Sequence, residues 1–580
     1  MKKTFRELWP YFWRYRRGMA LGMGSLLIKD FAGAALPLVI KEGIDSLTRG
    51  FRINLVLEFA ALLVGISLVK SLFQYWMRVI LIGISRDIEY DLRNDIFARL
   101  ITLSSDFYGR YRTGDIMARA TNDLNAVRMM LGPGVMYWTE TMFTFIMAII
   151  VMVSVDWPLA LLSLAPAPLV SFVVIYFGRR IHDRFESIQK MFSDISSRVQ
   201  ENLSGVRVIR AYAQEAAEIR KFEALNIDYI AQNLRLARLS AFFMPVLQAL
   251  IGLTFLVVLW AGSYRLLSHH ITLGDFVMFN TYMGILVWPM IALGWVVNLM
   301  QRGTASWTRI RELMDERPSI AAPSRPAPIP SDLRGEIRFE DVEVMYPAGA
   351  ALRRVDLTIP AGATVAIVGH TGSGKSTLVD LIPRLIDPTR GVVSLDGIDL
   401  REFDPEALRR EIGFVPQETF LFSATLGENI AWGVKNPTKD DVARAAELAG
   451  LGPDLATFPN GLDTVVGERG LTLSGGQKQR TAIARALLRN PRMLILDDAL
   501  SSVDTITEEM ILNGLAGLMH GRTTILISHR VSTVRHADHI FVLEHGEIVE
   551  SGDHADLIAN GGYYADLYQK QLLEEELEAI

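Results

Sequence analysis

Cysteine is missing from all 580 residues. Disulfides, thiolate metal sites and cysteine nucleophiles are therefore excluded. The chain also lacks any strong excess of one charge. Its net charge is −5 and its isoelectric point near 6.1, which argues against nucleic acid as a partner. The N-terminus, MKKTFRELWPYFWRYRRG, has neither the apolar core nor the small-residue cleavage site of a secretory leader. Apolar runs long enough to cross a bilayer are wanting in the second half. What is present is a chain with 50% hydrophobic residues and a mean hydropathy of +0.24, too apolar and too long for one soluble domain.

The long apolar runs lie in the first half. Six spans are expected, at about 18–40, 54–82, 131–155, 158–178, 242–266 and 274–299, each near the roughly 20 residues that cross a bilayer. Arg14, Arg16 and Arg17 place the N-terminus in the cytoplasm by the positive-inside rule. Residues 1–17, rich in Trp9, Tyr11, Phe12, Trp13 and Tyr15, read as an amphipathic helix lying along the interface. The polar stretches 84–130 and 179–241 carry charges at helical spacing, as in Arg86, Glu89 and Arg93. Each contains a break in the helical pattern, at 107–115 and 203–215. The Pro- and Ala-rich segment 316–334 reads as a partly extended linker. A domain of alternating strands and helices follows over 335–572, and an acidic helical tail closes the chain at 573–580.

The most informative segment is GHTGSGKS, 369–376. It fits G-x-x-x-x-G-K-[ST], follows the β-branched run ATVAIV and precedes a helical pattern, which is the context a phosphate-binding loop needs. Backbone N–H groups across Gly369, His370, Thr371, Gly372, Ser373, Gly374 and into Thr377 would cradle phosphates. Lys375 would reach the β/γ-phosphates and Ser376 would hold Mg²⁺.

Further motifs follow in order: Tyr346 in VMYPAG, Gln417 in FVPQET, TVVGERG at 464–470, LSGGQ at 473–477, LILDDALSSVD ending at Asp504, and ILISH ending at His529. With these the chain resembles the ABC transporter family, at motif level over about 335–572 and in architecture over the rest. The resemblance implies an α-helical membrane domain of six long transmembrane helices plus an α/β P-loop ABC ATPase domain, with ATP and Mg²⁺ as cofactors. Tyr346 then stacks on adenine, Gln417 is the Q-loop residue and a metal ligand, Asp497 is the Walker B aspartate, and His529 is the switch histidine. TVVGERG resembles the X-loop of exporters. Ser474, Gly475, Gly476 and Gln477 form the signature motif, which contacts the nucleotide bound to a partner chain. With one ATP-binding domain this is a half-transporter, and it must pair. The breaks at 107–115 and 203–215 become the elements that dock on ATP-binding domains. Both termini are expected in the cytoplasm of a bacterium, flanking a multi-pass span of the inner membrane.

One residue departs from the family pattern. The position after Asp497 normally carries Glu as general base, and here it is Asp498. The carboxylate is shorter by one methylene, so the site built on this P-loop is expected to bind Mg-ATP and to hydrolyse it slowly. An intact LSGGQ beside LILDDALS resembles the degenerate-site chain of heterodimeric bacterial multidrug exporters. The alternative is a homodimer in which Asp498 works through a repositioned water. The transported substrate is expected to be an amphipathic drug or a lipid, with import of metal-chelator complexes on the same fold as the other reading. Ionisable residues within the spans, Lys29, Asp30, Lys70 and Glu140, are functional candidates because charge is costly in lipid. Of these, Glu140 is the candidate for contacting a cationic substrate, while Lys29 and Asp30 are expected to pair with another helix. Met136, Met142, Met147 and Met152 lie along the third span, where flexible thioethers suit either helix packing or a promiscuous apolar surface.

Overall fold

A computed structural model describes residues 2–578 apart from 51, 348, 468, 469, 471 and 520. The chain separates into two compact units. One comprises Met1–Ile101 and Tyr111–Glu316, the other Thr102–Arg110 and Arg317–Ile580.

The first unit is helical throughout. Helix α1, Lys2–Arg14, buries Leu8 and leaves Trp9 57% and Trp13 54% exposed. Its polar side is fastened by named bonds. Glu7 accepts from Trp307 Nε1 at 3.0 Å, and Tyr11 Oη donates to Asp95 at 2.6 Å. The remaining helices are α2 (Arg16–Arg49), α3 (Ile53–Thr102), α4 (Ser105–Arg110), α5 (Thr113–Val155), α6 (Trp157–Ser204), α7 (Val206–Ala211), α8 (Glu215–Leu267) and α9 (Leu273–Asp315). Among the described residues, α2, α3, α5, α6, α8 and α9 are the six that are long and apolar enough to cross a membrane. The last five have 43 to 53 residues. At 1.5 Å per residue they reach ~65–80 Å, about twice a ~30 Å hydrocarbon core, so their polar ends continue as helix beyond it.

Two spans that read as unbroken are not. Helix α5 widens into π-turns at Arg119–Asp123 and Met130–Gly134, the second containing Pro133. Helix α6 is interrupted between Leu164 and Ala167, at Pro166. A proline has no N–H for the helical ladder and crowds the preceding turn, so the ladder re-registers around it. Lipid supplies no hydrophobic drive between helices, so close backbone approach matters. At Gly303 an added Cβ would lie 2.3 Å from the Met130 Cβ, and at Gly132 2.6 Å from the Ser85 Cβ. The short helices α4 and α7 fall at the two breaks expected within the polar segments, α4 overlapping the first over 107–110 and α7 lying inside the second. Helix α4 groups with the second unit and buries Phe107, whereas α7 stays with the first and buries no residue.

The second unit holds two sheets among the described residues. An antiparallel sheet orders β2 (Gly349–Ile359), β1 (Ile337–Tyr346), β4 (Arg390–Leu395) and β5 (Ile398–Asp399). The other orders β10 (Glu547–Gly552), β9 (His539–Glu544), β3 (Thr364–Val368), β8 (Thr523–Ile527), β7 (Met493–Asp497) and β6 (Ile412–Val415). The sequences TVAIV, MLILD and TTILI are almost wholly buried. Such nearly continuous apolar runs are what a parallel sheet covered on both faces requires. Phe339, Ile367, Leu378, Phe403, Ile495 and Ile525 form the core of this sheet region, each at most 1% exposed. The Pro-rich stretch after Glu316 is stitched down within this unit, the Ala327 N–H donating to the Glu402 carbonyl at 2.8 Å. The last helix runs from Tyr563 to Glu578 without a break at 572. Residues 579 and 580 of the acidic tail lie outside the described residues.

Candidate active site

Strand register brings the motifs together. Ile367 on β3 pairs with Ile527 on β8, which pairs in turn with Asp497 on β7. On the far side Leu496 pairs with Val415 on β6. The residues following these four strands therefore emerge side by side at the carboxyl edge of the parallel strands, where open α/β sheets bind ligands. Tyr346, Thr371, Gly372, Gly374, Lys375, Ser376, Thr377, Gln417, Asp497, Asp498 and His529 line one cavity there, of about 320 Å³.

The loop after β3 is shaped by glycine. Gly369 and Gly374 have φ of +151° and +107°. A Cβ at Gly369 would sit 2.1 Å from the Leu543 carbonyl oxygen, and one at Gly374 2.5 Å from that of Ala351. Only glycine satisfies both the torsion and the space. Lys375 Nζ donates to the carbonyls of Gly369 and His370, both at 2.8 Å, which centres the ammonium in the loop. Burial lowers the pKa of Lys375 from its usual value, against the opposing pull of Asp497 and Asp498. Asp497, 4% exposed, is raised chiefly by burial, while the neighbouring Ser376 hydroxyl pulls the other way. Burial also lowers His529, aided by Lys375. Asp380, at the end of the helix that follows the loop, is pushed up to about 6 by burial, with the Asp497 charge adding to it.

These residues fit a magnesium nucleotide. Ser373 Oγ is buried in the loop without a hydrogen-bond partner. A buried donor left unmade is costly, and a phosphate oxygen would satisfy it. The Ser376 hydroxyl and the Asp497 carboxylate line the same cavity and are the hard oxygen donors that Mg²⁺ takes.

Asp498 is held by its main chain on both sides. Its N–H donates to Ile527 O at 2.9 Å, and its carbonyl accepts from Ser501 Oγ at 3.0 Å and Gln479 Nε2 at 3.3 Å. Its φ is +49°.

The signature residues lie apart from this cavity. Ser474 caps the helix Gly475–Leu488, and Gln477 closes a capping box with it, the Ser474 N–H donating to Gln477 Oε1 at 2.9 Å. Within the X-loop, residues 468 and 469 lie outside the described residues, as does 471 before the signature motif. Three groups went unnoticed in the sequence. Gln479 ties the signature helix to the Asp498 turn, its Oε1 accepting from the Ser502 N–H at 2.9 Å. Glu508, 2% exposed, takes Arg530 at 2.5 Å beside His529. Gln571 bonds the main chain at His529. Their partners are distant in sequence, and no local pattern marks them.

A second cavity, of about 160 Å³, lies in the helical unit. Lys29, Asp30, Lys70, Glu140, Tyr282 and Trp288 are among its lining residues. Lys29 Nζ pairs with Glu140 at 2.5 Å and with Asp30 at 2.8 Å. Glu140 thus borders a cavity as well as serving as the interhelical partner of Lys29.

Comparison with known proteins accords with this geometry. Residues 19–290 match the model of the ABC transporter transmembrane region, and residues 352–501 match that of the ABC transporter. The chain is 36% identical to a probable multidrug resistance ABC transporter ATP-binding/permease protein, YheI, of Bacillus subtilis, over 97% of this chain and 96% of that one. It is 37% identical to the multidrug resistance-like ATP-binding protein MdlA of Escherichia coli, over 99% and 98% of the two chains. A solved bacterial Atm1-family ABC exporter with ATP bound superposes with a TM-score of 0.81 at 28% identity, covering 96% of this chain and 98% of that one.

Proposed function

The chain belongs to the ABC transporter family as an exporter-type half-transporter, a multi-pass membrane protein whose ATPase uses ATP with Mg²⁺, and on that premise we propose that it is the weak-site half of a heterodimer exporting or flipping amphipathic drugs or lipids. Its membrane is the bacterial cytoplasmic membrane, with both termini on the cytoplasmic side.

The observation that carries this reading is Asp498. A general base must come within about 2.6–3.2 Å of the proton it takes, or act through one water. Asp falls short of Glu by one carbon–carbon bond, ~1.5 Å. A shift of the main chain could make up that length, but the N–H and C=O of Asp498 are both bonded. A displacement near 1 Å costs on the order of 100-fold in rate.

Magnesium-bound ATP supplies the phosphoryl group whose transfer to water powers transport. The chain's own residues divide the remaining work. The Gly369–Thr377 loop and Lys375 would bind phosphate, Ser376, Asp497 and Gln417 would hold the metal, Tyr346 would stack on the base, and His529 would face the terminal phosphate. None of these depends on Asp498, so tight binding and slow chemistry coexist at one site. Ser474, Gly475, Gly476 and Gln477 complete the partner's competent site across the interface. In the membrane unit, the cavity beside Lys29, Asp30 and Glu140 is where an amphipathic substrate's charged group finds polar company.

Measuring ATP turnover of the purified chain alone and after coexpression with its partner tests the reading. Turnover should be poor alone and restored by a partner that carries Glu. Fast, cooperative hydrolysis by the single chain would instead make Asp498 a working base in a homodimer.

A further inference from the structure

The C-terminal helix, Tyr563–Glu578, reaches the nucleotide loops at two points. Near its start, the Tyr563 ring meets the His370 ring edge-on, with centroids 4.7 Å apart. Two turns later, the Gln571 side chain grips the main chain around His529. Its Nε2 donates to the His529 carbonyl at 2.5 Å, and its Oε1 accepts from the Val531 N–H at 2.7 Å. The helix itself is anchored independently. Tyr564 is fully buried, with its hydroxyl 2.7 Å from His554 Nδ1, and Glu550 accepts the Tyr563 N–H at 2.6 Å.

We infer that Gln571 is a positioning residue for His529, and that the C-terminal helix sets the spacing between the phosphate loop and the switch histidine. The His529 ring lines the nucleotide cavity, and its direction follows from the torsions of the 529–531 segment. Those torsions are fixed when one amide closes both the carbonyl of 529 and the N–H of 531. No backbone partner from a strand does this, because β8 ends at Ile527. Arg530 is held separately, by Glu508 and by the Val503 carbonyl at 2.9 Å, so losing the Gln571 bonds would free the His529 peptide without dissolving the segment.

The test is a double-mutant cycle on the full-length chain in its assembled form, read as the time for which labelled ATP is retained after trapping. Gln571→Met keeps the length of the side chain and removes both bonds. It should shorten retention ~5-fold, the effect of about one net hydrogen bond. His529→Ala should shorten it more. The double variant should match His529→Ala alone, since coupled residues give non-additive effects. Additive effects, or a silent Gln571→Met, would reduce Gln571 to an anchor of its helix and overturn the inference. A silent His529→Ala would overturn it too, while leaving the weak-base reading intact, because that rests on Asp498 and is read by turnover.

Discussion

Asp498 donates its N–H to the carbonyl of Ile527 at 2.9 Å while standing in the left-handed region at φ +49°. The bond ties the residue after β7 to the end of the neighbouring strand β8, so its carboxylate projects from a fixed point. With the main chain tied, the length of the side chain limits how far the carboxylate reaches. Asp498→Glu in the chain purified alone should raise ATP turnover ~10- to 100-fold, at a stability cost of about 1 kcal/mol for a longer side chain in that torsion. Unchanged turnover in a steady-state phosphate-release assay would show that side-chain reach does not limit this site.

Ser474 and Asp498 belong to different composite sites under the heterodimer reading, and the two should respond oppositely to substitution. Asp498→Asn should alter turnover of the assembled transporter less than about twofold. Ser474→Arg, which places a long cation where the motif meets the partner's nucleotide, should lower it on the order of 100-fold, the scale of losing a key stabilising donor. Loss of activity in Asp498→Asn with a silent Ser474→Arg would reverse the assignment.

Lys29 serves two carboxylates at once, and its side chain and that of Asp30 are each 4% exposed. Lys29→Met would leave Asp30 and Glu140 without the ammonium that bonds both, with Lys70 the remaining cation lining that cavity. Breaking a buried pair from one side costs about 3–5 kcal/mol, so the thermal midpoint in detergent should fall sharply. Glu140→Gln keeps the Lys29–Asp30 pair, and its midpoint should move little. A Lys29→Met chain as stable as the parent would mean the carboxylates find other partners.

Asp380 has its pKa pushed up to about 6 from 3.8. The folded chain therefore holds this proton while the unfolded chain has released it between about pH 4 and 6. Stability from this group is full below that window, falls as pH rises through it, and stays reduced above 6. Asp380→Asn remains neutral at every pH. It should raise the thermal midpoint at pH 7.5 and flatten the change across the window. Parallel melting curves for the two proteins at each pH would refute the assignment.

Much of this was legible in the residues. Six spans followed from the length of apolar runs, because a bilayer demands about 20 residues each. The phosphate loop followed from GHTGSGKS, because torsions and approach distances at Gly369 and Gly374 admit no other residue. The Asp498 departure was visible because the motif fixes which position the base should take. The helix interruptions near Pro133 and Pro166 were not anticipated: in a membrane helix, neighbouring side chains decide whether proline bends, widens or breaks the ladder.

Sequence by itself determined the family of chemistry, the apolar spans and the residue types at the nucleotide site, since each rests on a local rule of spacing or torsion. Only tertiary structure decided that Lys29 answers both Asp30 and Glu140, that the peptide groups of Asp498 are closed by Ile527 and Ser501, and that Gln571 clasps the main chain at His529. The Lys29–Glu140, Asp498–Ile527 and Gln571–His529 contacts join residues far apart in the chain. They depend on strand register and helix packing, which fix where side chains meet.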